Sequence, residues 1–258
     1  MIRFFALIFI ISFSSYAEDI FLLQGQQKAL KTSDFTKVNK SYVLEIEKLT
    51  MKHKSALIIP SELHGQRVII NVLNYRGKGR NIITQSFGKK ASFDLNSYLY
   101  PDYRSHPRAK NGVPGRQGPG QPSRHGQRNG ENGKSSSELT INLNINAVQD
   151  LNIIMLSQSG GNGGKGNYDG GKGGTPGYPG KINSITINWF SNYNLLHDHN
   201  AIPNGVNVIP VPGISGVPGE KGAQGTRARH GDFLTPSKEG FLGRIESINF
   251  SKLRDPVE

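Results

Sequence analysis

The sequence predicts a mainly β protein: a β-rich N-terminal domain followed by a polyglycine-II-like helix bundle with interleaved β-strands. Three observations predict this. Short β-branched runs broken by turn residues recur from residue 41 onward. No long segment carries the three-to-four-residue apolar spacing of a helix. Three glycine-rich tracts, which hold 26 of the 32 glycines, fill the C-terminal part, and each is followed by a strand pattern.

In chain order, "MIRFFALIFIISFSSYAED" places Arg3 before an apolar run from Phe4 to Phe13, with Ser15 and Ala17 at the small-residue positions of a signal-peptidase site. Residues 1–17 therefore read as a signal peptide, and the protein is expected to be exported, to the periplasm, the outer surface or the medium, with Glu18 as its new N-terminus. The apolar run is shorter than a membrane span, and no later stretch reads as a transmembrane segment. Residues 18–40 are a mixed lead-in, coil or a short helix. From Ser41 the strand patterns begin: "SYVLEIEKLTM" alternates, and "SALIIP", "RVIINVLNY", "NIITQ" and "ASFDL" follow. Pro101 and Pro107 stiffen "SYLYPDYRSHPR" into an extended link. The boundary is placed there, giving domains of 18–104 and 105–258.

Tract one, residues 111–134, has glycine at 112, 115 and 118, loses register and resumes it at 130 and 133. In "ELTINLNINAV", Leu139, Ile141, Leu143 and Ile145 oppose Thr140, Asn142, Asn144 and Asn146, the period of a half-buried strand. "DLNIIML" is its expected antiparallel return, with Gln149 and Asp150 at the turn. Tract two, residues 160–181, has doubled glycines and precedes "INSITINWF", where Ile185, Ile187 and Trp189 share a face. Tract three keeps glycine at every third position from Gly213 to Gly225 and leads to "RIESINFSKL".

Glycine at every third residue suits an extended helix of three residues per turn with one face free of side chains. In collagen that face meets two other chains. In a polyglycine-II bundle it meets neighbouring helices of the same chain, held by backbone hydrogen bonds and Cα–H···O contacts. Interrupted tracts speak against collagen, which a single missing glycine damages. The doubled glycines of tract two free two faces, which suits an inner helix, while tracts one and three suit outer positions. A flexible linker is the third reading of such composition. The alternation of "GGNGGKG"-type tracts with strands resembles the glycine-rich domain of the anaplastic lymphoma kinase receptor family and the receptor-recognising tips of phage tail-fibre adhesins. Over residues 111–250 that resemblance implies a polyglycine-II bundle, and it carries no residue-level role. "GVPGEKGAQG" is similar to bacterial collagen-like surface proteins, which implies a trimer instead.

The chain contains no cysteine, which excludes disulfides, thiolate metal sites and a cysteine nucleophile. Its net charge is +12. Residues 67–134 hold 13 Lys and Arg against three acids, interleaved with Tyr75, Phe87, Phe93, Tyr98, Tyr100 and Tyr103. Cations among aromatics can hold phosphate or sulfate while rings stack on sugars; a solvated basic surface over a packed tyrosine cluster is the plainer alternative. Export points the charge toward anionic polysaccharide, lipopolysaccharide or a surface receptor rather than nucleic acid. The expected binding residues are Arg76, Lys78, Arg80, Tyr100, Tyr103, Arg104, Arg108 and Arg124. His197, Asp198 and His199 lack a third convergent ligand and are not favoured as a metal site. "NYDGGKGG" lacks the spacing of a phosphate loop, "SELHG" is too local for a triad, and no carboxylate pair stands out for glycoside hydrolysis. The sequence thus points to a monomeric, non-enzymatic binding or adhesion protein of the bacterial envelope without a cofactor. A collagen-like trimer or fibre component and an envelope enzyme acting on polysaccharide are the alternatives.

Overall fold

Apolar runs of three to eleven residues, most of them alternating with polar residues, form twelve strands among the described residues, and their pairing makes two mainly parallel sheets. The structure, a computed structural model, describes residues 18–88, 90–113, 129–164, 173–191, 205–219 and 241–252; the expected signal peptide lies outside them. The strands are β1 (Glu18–Leu22), β2 (Gln27–Ala29), β3 (Thr36–Val38), β4 (Ser41–Met51), β5 (Ala56–Ile59), β6 (Arg67–Gly77), β7 (Arg80–Gln85), β8 (Glu138–Ala147), β9 (Asp150–Leu156), β10 (Ile185–Ser191), β11 (Val206–Val211) and β12 (Ile248–Lys252). The first sheet has the order β1-β4-β6-β8-β10-β12, with β3 pairing β4 antiparallel; the second has the order β2-β5-β7-β9-β11. From β4 onward the chain visits the two sheets alternately, so successive coils stack into a parallel solenoid.

The core lies between the sheets. Leu44, Ile46, Leu49 and Met51 of β4, Val68, Ile70, Val72 and Tyr75 of β6, Leu139, Ile141 and Leu143 of β8, and Ile185, Ile187 and Trp189 of β10 point inward. They meet Leu57, Ile59, Ile83, Leu151, Ile153 and Met155 from the second sheet. The second sheet is buried on its other face too. Ile82, Ile154, Ile209 and Val211 there are covered by Phe87, Phe93, Leu95 and Tyr98, from a segment that includes the one-turn helix α1 (Asn96–Leu99). This explains why β9 is buried almost throughout and reads as a continuous apolar run.

Two expectations are corrected. β9 is not the antiparallel partner of β8: it lies in the other sheet, parallel to β7 and β11. Burial on both faces, with backbone partners on both sides, suits it better than a hairpin. The lead-in at 18–40 holds three strands besides a single 3-10 turn at Thr32–Asp34, and Ile20 and Leu22 of β1 close the end of the core beside β4.

The connections differ in kind. From the first sheet to the second the chain turns tightly at residues 52–55, 78–79 and 148–149, whereas the connection from β10 to β11 spans residues 192–205. At one of these corners Gly79 has φ +73°, and a Cβ there would meet the His53 ring at 2.3 Å. Three of the four return connections, β7 to β8, β9 to β10 and β11 to β12, carry the glycine tracts. The boundary expected near residue 105 falls in the return from β7 to β8, and both sheets continue across it, β6 pairing with β8 and β7 with β9.

The described parts of the tracts run outside the sheets as extended segments joined by backbone hydrogen bonds at every third residue. Gly130, Gly133 and Ser136 donate N–H to the carbonyls of Thr175, Tyr178 and Lys181. In the same rhythm the side chains of Asn129, Asn132 and Ser135 accept from the N–H of Thr175, Tyr178 and Lys181. Residues 157–164 have neighbours on four sides. Gly160 and Gly163 donate to Ile214 and Val217, Gly161 donates to Glu131, Gly164 accepts from Gly174, and Asn162 accepts from Gly112. A Cβ at Gly160, Gly161 or Gly163 would lie 2.0 Å from a backbone oxygen, so no side chain fits.

Candidate functional site: a basic groove at the tight corner

β1 lies parallel to β4, and β4 to β6, with Phe21 opposite Thr50 and Thr50 opposite Arg76. Leu22 and Met51, one position on, are buried in the core. Alternation therefore turns Phe21, Thr50 and Arg76 outward as one row. The pairing continues past the strand ends, where Lys52 N–H donates to the Leu22 carbonyl and Lys78 N–H to the Met51 carbonyl. Leu23, Lys52 and Lys78 thus form a second row, level with the corner that leads to the second sheet. Phe21, Lys48, Thr50, Lys52, Arg76 and Lys78 line a shallow groove of about 320 Å³.

Four cations meet in this groove. Among the described residues none of Lys48, Lys52, Arg76 and Lys78 forms an ion pair, whereas Lys28, Arg67, Arg80, Arg104 and Lys181 each have a carboxylate within 4.0 Å. Asp19 stands opposite Lys48 in register without closing a bridge to it. The Lys52 ammonium sits 5.8 Å from the centre of the Phe21 ring, which is 55% exposed. Such a contact at an exposed site contributes about 0.5–1 kcal/mol. The arrangement can hold an anion by charge and hydrogen bonding. Among the described residues no group of three His, Asp or Glu side chains is placed to bind a metal.

A second groove, of about 290 Å³, is acidic, with Glu18, Asp34 and Glu45 in its wall. These carboxylates are engaged: Glu18 by Lys28, Asp34 by the Lys31 N–H and Glu45 by the Asn71 amide.

The eight residues expected from sequence do not converge. Arg76 and Lys78 stand together in the basic groove. Arg80 is tied to Asp150 at 3.3 Å and to the Phe93 carbonyl. Tyr100 projects into solvent, 80% exposed. Tyr103 packs beside His106 with ring centroids 5.4 Å apart, and burial raises its phenol above the ordinary range. Arg104 is exposed beside Asp102. Arg108 donates to the Gly160 carbonyl at 2.7 Å and to Asn162 Oδ1 at 3.0 Å, which pins the glycine segments; partial burial pulls its guanidinium down from its usual value. Arg124, His197, Asp198 and His199 lie outside the described residues. Of the six aromatics, Tyr75 is in the core, and Phe87, Phe93 and Tyr98 cover the second sheet.

Phe21, Lys48 and Lys52 were not among the residues expected. Phe21 sits in the segment read as a lead-in, and the two lysines look like the solvated side of an amphipathic strand. Only the parallel register unites them with Arg76. Comparison of this chain with protein-family models, curated proteins and solved structures finds no match.

Proposed function

We propose that this is an exported, non-enzymatic binding protein of the cell envelope or surface that recognises an anionic glycan through the basic groove. The observation that carries the reading is the gathering of Lys48, Lys52, Arg76 and Lys78, without an ion pair among the described residues, around an exposed aromatic ring. Sulfated or phosphorylated sugars supply both the charge and the apolar ring face that this pairing takes. Export rests on the basic, apolar and small-residue pattern of residues 1–17.

The glycine segments are the proposed scaffold, a polyglycine-II-type bundle within one chain. Two observations support it: hydrogen bonds repeat at every third residue, and the glycines of 157–164 face backbone from four neighbouring segments. Those faces are occupied by the chain itself, which favours a monomer over a collagen-like trimer. A scaffold held by main-chain bonds would also keep binding surfaces preorganised.

The test is retention on immobilised heparin and on lipopolysaccharide against a salt gradient. The wild type is expected to elute late, with retention falling as salt rises. The R76E/K78E double variant is expected in the flow-through at physiological salt, and Arg104→Glu unchanged. Equal retention of R76E/K78E and wild type would reject the groove as the binding site.

A further inference from the structure

We infer that the tight corner docks on an anionic lipid surface, so that the glycan partner is one displayed on a membrane; this rests on the reading of the basic groove as an anion site. A saccharide explains the cations and an exposed aromatic face. It does not explain Leu23, a branched aliphatic side chain that is 59% exposed. Leu23 follows the buried Leu22, and the exposed Phe21 precedes it. The two apolar side chains therefore project on the same side of the chain, two residues apart, at the end of β1.

Their neighbours across the sheet are cations. Phe21 heads the row that ends in Arg76, and Leu23 heads the row of Lys52 and Lys78. Lys54, with φ +55°, turns the chain at the same corner and is exposed. Asp19, opposite Lys48 in register, lies two residues before Phe21 on β1. An apolar tip ringed by cations matches the layering of a bilayer surface, where acyl chains lie just beneath anionic headgroups. Charge complementarity thus selects a membrane bearing phosphate headgroups. The glycine-bearing return connections lie at the other ends of the strands, and docking at this corner leaves them clear of the bilayer.

The test uses the full chain and vesicles of phosphatidylcholine, alone or mixed two to one with phosphatidylglycerol. Cosedimentation is expected with the mixed vesicles and not with the neutral ones. Leu23→Ser, outside the groove lining, is expected to lower partitioning about tenfold or more through lost apolar insertion, while its heparin elution stays where it was. K52E/K78E is expected to lower partitioning about fivefold or more per cation and to shift heparin elution as well. Far-ultraviolet circular dichroism matching the wild type shows that each variant is folded. Leu23→Trp gives an independent readout, with a blue shift of emission on mixed vesicles and none on heparin. Partitioning unaffected by Leu23→Ser, or equal on neutral and mixed vesicles, overturns the lipid inference and leaves the glycan reading standing. Heparin retention that survives K52E/K78E sinks the glycan reading itself.

Discussion

His64 is a buried imidazole stacked on Phe87, with ring centroids 3.8 Å apart and Nδ1 2.7 Å from the Ser61 carbonyl oxygen. Burial holds its pKa below the ordinary histidine value. The unfolded chain therefore takes up a proton at a pH where the folded one does not. This residue's contribution to stability is complete above about pH 6.5 and declines as pH falls through that value. The melting temperature is expected to drop between pH 7.5 and 5.5, and less so in His64→Phe, which keeps a ring against Phe87 but cannot titrate. Equal pH profiles for the two proteins would reject the assignment. Arg108 works at the same scale but through geometry. Its NH1 group bonds two acceptors on 157–164, so Arg108→Ala is expected to cost about 1–3 kcal/mol in urea unfolding. Arg108→Lys, which loses the planar fork, should recover only part of it.

At the scale of elements, two repeating patterns hold the coils in register. Across the outer face of the first sheet, Glu45, Asn71, Asn142 and Asn188 form a ladder of side-chain hydrogen bonds, one rung per strand. Asn142 is an inner rung, and Asn142→Ala removes two bonds, an expected loss of about 1–2 kcal/mol. The glycine segments depend instead on absent side chains. In Gly161→Ala the new methyl would lie 2.0 Å from the Lys110 carbonyl oxygen, with the Glu131 backbone on its other side. Neither is a flexible side chain that can swing away, so a penalty of about 2 kcal/mol or more is expected. Glu131→Ala, an exposed position in the adjoining segment, serves as the control and should change stability little. A neutral Gly161→Ala would remove the close packing of these segments.

At the scale of the whole molecule, one core spans positions far apart in the chain. Ile20, Leu44, Val68, Leu139 and Ile185 share one cluster, drawn from both sides of residue 105. Unfolding in urea is therefore expected as a single transition. Fluorescence of Trp189, buried in β10, should trace the same curve as circular dichroism of all strands. Two separated midpoints would mean that the halves fold independently.

The strands were legible in the sequence because side-chain period is local: Leu139, Ile141, Leu143 and Ile145 declare a buried face without reference to any partner. So was the need for close approach at glycines such as Gly160 and Gly161, since a position that must lack a Cβ can be read from one residue. The charge of Arg76 and Lys78 was equally plain. Pairing was not legible. Alternation is the same in parallel and antiparallel strands, so β8 and β9 read as a hairpin until burial of β9 on both faces assigned them to different sheets. The role of the aromatics was also tertiary, because Phe87 and Tyr98 are as suited to stacking on a ligand as to covering Ile82 and Ile154. The basic groove shows the limit most clearly. Phe21, Lys52 and Lys78 belong to three segments, and proximity between segments is set by register, a property of the folded sheet that no single stretch of chain encodes.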